Sequence, residues 1–90
     1  MKLLVIGSNS FSGSHFVKEA LDEKLTVIGV SRSEEPKAIF LPYKWNKDNK
    51  YLENFFFKSL DINKDMNNLI KLIDDNEPTH IINFAAQGMV

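Results

Sequence analysis

Residues 2–13 read KLLVIGSNSFSG, and this stretch decides the fold. Residues 3–6 are an unbroken apolar run, which is typical of a strand covered on both faces by helices. Gly7 and Gly13 bracket a tight turn, and a helical pattern follows it. In that order of elements the first amides of the helix have no internal partner, and the helix dipole adds positive potential at the same end. The stretch therefore predicts a site for a phosphate or pyrophosphate.

Composition limits what the rest of the chain can be. The 90 residues carry a net charge of −1 and no cysteine, and 43% of them are hydrophobic. This size allows one small domain with a packed core, and the mixed charges favour neither a nucleic-acid nor a membrane surface. The first apolar run is too short for a signal peptide or a membrane span. We expect a cytoplasmic protein without disulfides, and without a metal site because His15 and His80 have no partners at ligand spacing.

Helices and strands alternate along the chain. The first helix has an apolar stripe at Gly13, Phe16, Val17, Ala20 and Leu21. Strands are predicted at 26–30, at 55–57 with an end near residue 60, and at 81–86. A second helix can begin at Asn63 or Asp65 and has to stop before Pro78, with a buried stripe of Met66, Leu69, Ile70 and Ile73.

The resulting order is β-α-β-loop-β-α-β. It predicts an α/β fold, a Rossmann-type parallel sheet with helices on both faces and strand order 3-2-1-4. The phenylalanines at 55–57 are assigned to the core. Residues 31–51 are long for a plain loop, so we expect this segment to contain a short element or to cover a site.

The glycine turn has a specific arrangement. Gly7 makes the turn and Gly13 lets helix and strand pack closely, while Ser10 takes the middle place where backbone approaches a pyrophosphate. The Ser10 hydroxyl could itself bond a phosphate oxygen. An ordinary strand-to-helix turn without a ligand remains the alternative.

Three motifs in this order resemble the extended short-chain dehydrogenases/reductases, the group of nucleotide-sugar epimerases and 4,6-dehydratases. Residues 7–13, GSNSFSG, are similar to the G-x-x-G-F-I-G turn of that family, and residues 78–87, PTHIINFAAQ, to its fourth-strand signature. Asp61-Ile62 matches the family's Asp-hydrophobic pair, and the NFAAQ ending resembles the GDP-mannose 4,6-dehydratase branch most. The chain departs from the pattern at Ser10, where the family has glycine, and at Ile6, where it often has threonine.

The resemblance implies roles for particular residues. In the family, the corresponding backbone lies along the pyrophosphate of a nicotinamide dinucleotide, and the resemblance implies this place for Asn9, Ser10, Phe11 and Ser12. The resemblance also implies that Phe11 caps the start of the helix with its ring turned inward. Between the two halves of the cofactor it places Phe84, Ala85 and Ala86.

At the adenine, the resemblance implies that Asp61 accepts a hydrogen bond from the amino group and that Ile62 lies beside the ring. Without the resemblance, Asp61 could equally be a turn residue.

The end of the second strand bears on the choice of cofactor. An acid there binds the adenosine ribose diol and repels a 2′-phosphate, but this strand ends with Ser31 and Arg32. A hydroxyl and a guanidinium suit a phosphate, so the sequence favours NADP over NAD. The alternatives for Arg32 are stacking on adenine or an exposed ion pair with Glu34 or Glu35.

We find no candidate for the family's catalytic Tyr-x-x-x-Lys pair. Tyr51 has no lysine four residues on, and Tyr43, although Lys47 stands at that spacing, precedes the fourth strand, whereas the family's pair follows it. We therefore expect residues 1–90 to be the N-terminal half of a dinucleotide-binding domain, without the catalytic and substrate regions and inactive alone. The intact protein is expected to be a homodimeric epimerase or dehydratase that acts on a nucleotide sugar by transient hydride transfer. A non-catalytic dinucleotide-binding module is the alternative. A methyltransferase is disfavoured by Ser31 and by the Ala85-Ala86 ending.

Overall fold

A computed structural model describes residues 1–37, 40–45 and 49–84. Four strands and two α-helices alternate in the predicted order, and two short 3₁₀-helices lie between the second and third strands. The elements are β1 (Lys2–Ile6), α1 (Phe11–Asp22), β2 (Thr26–Ser31), the 3₁₀-helices Pro42–Lys44 and Asn49–Asn54, β3 (Phe55–Ser59), α2 (Met66–Asn76) and β4 (His80–Asn83).

The four strands form one parallel sheet of order β3-β2-β1-β4, which confirms the predicted fold class and strand order. β1 lies inside the sheet, with Leu3 opposite Val27 of β2 and His80 of β4. The strands therefore end at one shared edge, where the turn that begins at Gly7 follows β1.

Alternate residues of β1 pack against different helices, so the sheet is covered on both faces. Leu3 and Val5 belong to the hydrophobic cluster that contains Val17 of α1. Leu4 belongs to a second cluster on the other face, which contains Leu69 of α2. This two-sided burial is the physical reason for the unbroken apolar run in β1.

The segment between β2 and β3 completes the core on the α1 face. Leu41 and Tyr43 are fully buried in the cluster that contains Val17, and the Tyr43 ring centroid lies 4.7 Å from that of Phe55. The short element predicted within residues 31–51 is therefore present, and it packs against α1.

The predicted core positions on the other face are partly wrong. α2 begins after Asp65, one of the two predicted starts, but Met66 and Ile70 are about half exposed. Leu69 is buried instead, with Leu72 and Ile73 packed against the same cluster. Positions 69, 72 and 73 keep helical spacing, so the buried stripe is rotated about the helix axis relative to the predicted one.

In β3, Phe55 and Phe57 are half-buried while Phe56 is 54% exposed. β3 is an edge strand, and its middle phenylalanine pairs in register with Ile28 on the face where α2 packs. Of the three residues assigned to the core, Phe56 is thus the exception, because the apolar cover on that face does not extend over it.

Candidate functional site

The turn after β1 is fixed to the neighbouring strand by Gly7. This residue has φ of 86°, in the left-handed region that glycine adopts without strain. Its amide donates to the Val30 carbonyl over 2.7 Å, and the Ser8 amide donates to the same oxygen over 3.3 Å. The chain thus leaves β1 and crosses the end of β2.

Gly13 allows α1 to begin directly over that turn. A Cβ atom at position 13 would fall on the Gly7 carbonyl oxygen and lie 2.8 Å from the Ser10 hydroxyl. Because the main obstacle is backbone, no side-chain rearrangement could relieve it. The structure therefore contains the close helix–strand approach expected of the last glycine of such a turn.

Ser10 is the N-cap of α1. Its hydroxyl accepts from the Gly13 amide over 3.0 Å and donates its proton to the Gly7 carbonyl over 2.7 Å. The possibility that this hydroxyl bonds a phosphate is therefore not supported, because its only proton is already used. Among the hydrogen bonds of the described residues, none has the amide of Phe11 or of Ser12 as donor. Two free donors thus remain at the helix start.

The predicted inward orientation of Phe11 is wrong. Its side chain is 81% exposed, and the ring lies against His15 with centroids 4.6 Å apart. Phe11 is the first residue of α1 and falls outside the stripe that contains Val17 and Leu21, so the helix turns its ring towards solvent.

A cleft of about 510 Å³ opens at the carboxyl ends of the strands, beside this turn. It brings together seven of the predicted site residues, which are Gly7, Asn9, Ser10, Ser31, Arg32, Asp61 and Ile62. The predicted residues that do not line it are Phe11, Ser12, Gly13 and Phe84. Ala85 and Ala86 lie outside the described residues.

Other lining residues were missed by the sequence analysis. They are Ile6, Val30, Ser33, Leu60, Asn63 and Asn83. They follow or end the four strands, and carboxyl ends of parallel strands share one edge of the sheet. Strand boundaries alone could therefore have indicated them.

Asn9 and Ser31 join the glycine turn to the end of β2. The Asn9 amide donates to the Ser31 hydroxyl over 2.9 Å, and the Ser31 side chain lies 3.5 Å from the buried Ser8 hydroxyl. Ser31 is only 8% exposed. Its oxygen thus holds the turn, a role that the sequence analysis did not assign to it.

Arg32 is exposed at the rim of the cleft. None of the ion pairs within the described ranges includes it, and the Glu35 carboxylate is bonded to Tyr43 and Lys44. The predicted alternative of an ion pair with Glu34 or Glu35 is therefore not present in this structure.

Asp61 has the hydrogen bonds of a turn residue, and its predicted contact with adenine stays a prediction. One of its carboxylate oxygens accepts from the Asn63 amide over 2.9 Å, and its carbonyl accepts from the Asp65 amide over 2.7 Å. It is thus a turn residue, and it also lines the cleft. In the part of the chain that the structure describes, no hydrogen bond uses its second carboxylate oxygen or the Ile62 amide. Two neighbouring residues of the cleft lining thus have an unpaired acceptor and an unpaired donor.

Two negative findings apply to the described ranges 1–37, 40–45 and 49–84. No helix in them is both long and apolar enough to cross a membrane. No three histidine, aspartate or glutamate side chains in them are grouped closely enough to hold a metal ion.

The parallel sheet of order 3-2-1-4, with a glycine turn and a cleft at its carboxyl edge, defines a Rossmann-type α/β domain. Residues 4–90 match the family described as GDP-mannose 4,6 dehydratase, and the chain belongs to this family. The predicted membership of the extended short-chain dehydrogenases/reductases is thereby confirmed.

Relatives of known name agree with this assignment. The chain is 31% identical over its full length to Protein CapI of Staphylococcus aureus, of which it covers 26%. It superposes on the UDP-glucose 4-epimerase of Thermotoga maritima, solved with UDP-glucose, with a TM-score of 0.72 and 25% identity, covering 97% of this chain and 25% of the epimerase. For the UDP-glucose 4-epimerase of Thermus thermophilus, solved with NAD, the TM-score is 0.71 at 26% identity, covering 97% and 24%. The chain thus spans about a quarter of the length of these relatives.

Proposed function

We propose that residues 1–90 are the N-terminal half of a dinucleotide-binding domain and hold the adenosine and pyrophosphate part of NADP. The intact protein would be a nucleotide-sugar epimerase or dehydratase. The observation that carries the proposal is the cleft, which brings the turn before α1, the end of β2 and the Asp61-Ile62 pair around one space. Family membership supports the class of enzyme.

The pyrophosphate would lie against the turn between Gly7 and α1. The unpaired amides of Phe11 and Ser12 follow Ser10, which lines the cleft, and they lie at the positive end of the helix dipole. Because the Ser10 hydroxyl caps the helix, the contribution of Ser10 would be its backbone. These groups neutralise a phosphate without using a charged side chain.

The adenine would lie beside Asp61 and Ile62. An adenine edge presents an amino donor next to a ring-nitrogen acceptor. The unpaired Asp61 oxygen and the Ile62 amide form the complementary pair. On the other side of the cofactor, Phe84 is held next to β1 by its amide, which donates to the Ile6 carbonyl over 2.7 Å. Phe84, Ala85 and Ala86 would then face the middle of the dinucleotide, as the family resemblance implies.

The preference for NADP would come mainly from Arg32. Its guanidinium is unpaired at the rim of the cleft, and no acid stands at the end of β2 to bind a ribose diol. Ser31 is nearly buried and holds Asn9, so its contact with the ligand would be limited to its hydroxyl proton.

The bound nicotinamide would supply the chemistry by accepting a hydride from the sugar and returning it. Residues 1–90 would contribute binding and orientation only. Tyr43 is fully buried with its hydroxyl on Glu35, which excludes it as the proton-transferring tyrosine of a catalytic pair. That pair and the sugar site would belong to the remainder of the protein. The homodimer and the cytoplasmic location stay predictions.

Titration of the full-length protein with NADP and NAD by calorimetry tests the proposal. Arg32→Ala should weaken NADP about ten- to a hundredfold and NAD much less, because a charge-assisted hydrogen bond contributes about 1.5–3 kcal/mol. Ser31→Asp should reverse the preference, since the acid accepts from the diol and repels the phosphate. Lys58→Ala, which removes an exposed cation from β3, is the control.

Three results would contradict parts of this proposal. If neither dinucleotide bound the unmodified protein, the cofactor site would be wrong. Equal loss of NAD and NADP in the Arg32 variant would show that the arginine stacks on adenine, and the NADP preference would be wrong. Dinucleotide binding without turnover of any nucleotide sugar would favour the non-catalytic module.

A further inference from the structure

The loop 32–35, which contains Arg32, is hydrogen-bonded on one side to the glycine turn. The Asn9 side-chain amide donates to the carbonyl oxygens of Ser33 and Glu34, both over 3.1 Å. The Asn9 backbone amide is itself bonded to Ser31. One residue of the turn thus fixes both the end of β2 and the loop that follows it.

The other side of the same loop is fastened to the hydrophobic core. The Glu35 carboxylate accepts from the Tyr43 hydroxyl over 2.6 Å and from the Lys44 ammonium over 3.0 Å. The Tyr43 ring is fully buried against Phe55. Burial, followed by the hydrogen bond and the charge of Glu35, raises the pKa of Tyr43, so the phenol remains a donor across the physiological range. The loop is therefore hydrogen-bonded, through Glu35, to a side chain of the buried core.

This arrangement has two consequences for Arg32. The loop backbone is held at both sides, so the long arginine side chain extends from a fixed position beside the cleft. In addition, the Glu35 charge is taken up by Lys44 and Tyr43, which leaves it unavailable as a partner for Arg32. An acid three residues away would otherwise compete with a phosphate for the same guanidinium.

We propose that Glu35, held by Tyr43 and Lys44, is a positioning residue for cofactor specificity: it fixes the loop 32–35 so that Arg32 meets the 2′-phosphate of the adenosine ribose. This inference rests on the proposed function, because it concerns the same cleft. It assigns the 3₁₀-helix Pro42–Lys44 a part in cofactor choice although none of its residues lines the cleft.

The test measures the dissociation constants of NADP and NAD for the full-length protein and two variants. Tyr43→Phe keeps the buried ring and all charges but removes one bond to Glu35. Lys44→Met keeps the aliphatic stem but leaves the Glu35 charge free to pair with Arg32. Each should weaken NADP about three- to tenfold and change NAD less than about twofold, since only the fraction of loops in the binding position contributes to affinity. Lys71→Met, which breaks the exposed Lys71–Asp75 pair in α2, should change neither.

Two further measurements separate positioning from general stability. Turnover at saturating NADP should be unchanged, so that only the KM for NADP rises. In a Glu35→Ala background, Tyr43→Phe should have no further effect on the NADP to NAD ratio, because its effect runs through the carboxylate.

The outcomes distinguish this inference from the proposed function. An unchanged NADP to NAD ratio in both Tyr43→Phe and Lys44→Met would overturn it while the cofactor site stands. Equal weakening of both dinucleotides together with a lower melting temperature would also overturn it, because it would indicate a purely structural role. Failure of the unmodified protein to bind either dinucleotide would instead reject the proposed function.

Discussion

Substitution of Gly13 by alanine adds one methyl group at the most crowded point of the glycine turn. Its Cβ would fall on the Gly7 carbonyl oxygen, with the Gly7 carbonyl carbon at 3.0 Å and the Ser10 hydroxyl at 2.8 Å. Gly7 cannot retreat, because its amide is bonded to Val30 over 2.7 Å. The start of α1 therefore has to move away from β1.

Three contributions set the magnitude of this effect. Overpacking costs about 1–3 kcal/mol, and loss of the Ser10 cap on the Gly13 amide costs about 1 kcal/mol. Alanine regains about 1 kcal/mol of helix propensity relative to glycine. The free energy of unfolding should therefore fall by about 1–3 kcal/mol, and NADP affinity should fall at least tenfold because the helix amides leave the pyrophosphate.

Urea unfolding and calorimetric titration of the full-length protein measure both quantities. Glu19→Ala, at an exposed position in the middle of the same helix, serves as the control and should change neither. Unchanged stability and unchanged cofactor affinity in Gly13→Ala would refute the assignment of this turn as a dinucleotide site.

Three other predictions concern the core and the isolated chain. Gly29→Ala should destabilise the fold by about 1–3 kcal/mol in thermal melts, because the added Cβ would lie 2.6 Å from the Ser8 hydroxyl. A second substitution, Ser8→Gly, should recover part of this loss, and no recovery would contradict the packing. The pKa of Tyr43 is raised above its ordinary value of 10.0, so the contribution of this phenol to folding stability should be fully present below that pH and decline above it. Tyr43→Phe should therefore reduce the loss of stability that urea unfolding measures between about pH 9 and pH 11. The isolated 90-residue chain should give no turnover in a nucleotide-sugar assay with added NADP, and measurable conversion would show that a catalytic group had been overlooked.

The sequence was sufficient for the fold because β1 is apolar at every position that both helices cover. All four side chains of residues 3–6 are buried in a central strand of a two-sided sheet, which is the arrangement that such a run predicts. The glycine spacing likewise predicted where α1 approaches β1. The buried face of α2 is not determined by the sequence pattern. Met66 and Ile70 fit a helical stripe as well as Leu72 and Ile73 do, and only tertiary packing selects between them.

The details of the site depend on contacts between distant residues. Nothing local to Ser31 shows that its oxygen accepts from the Asn9 amide, and nothing near Glu35 shows that it meets Tyr43. The inward orientation of Phe11 was inferred from the family resemblance, whereas its exposure follows from the direction in which the capped helix begins. The side-chain roles in this cleft are thus set by packing that the sequence pattern does not encode.

The central position of β1 has a consequence for how the chain is made. Its two neighbours are completed at very different times, since β2 ends at Ser31 and β4 ends at Asn83. At a synthesis rate of about 5–20 residues per second, this difference corresponds to roughly 3–10 s. In the finished sheet, one edge of β1 is paired with β4, beginning where the Thr79 amide donates to the Lys2 carbonyl. Throughout the interval before β4 is made, this edge of β1 is unpaired and apolar on the nascent chain. The central strand of the finished sheet is therefore the one whose second edge stays unpaired for the longest part of synthesis.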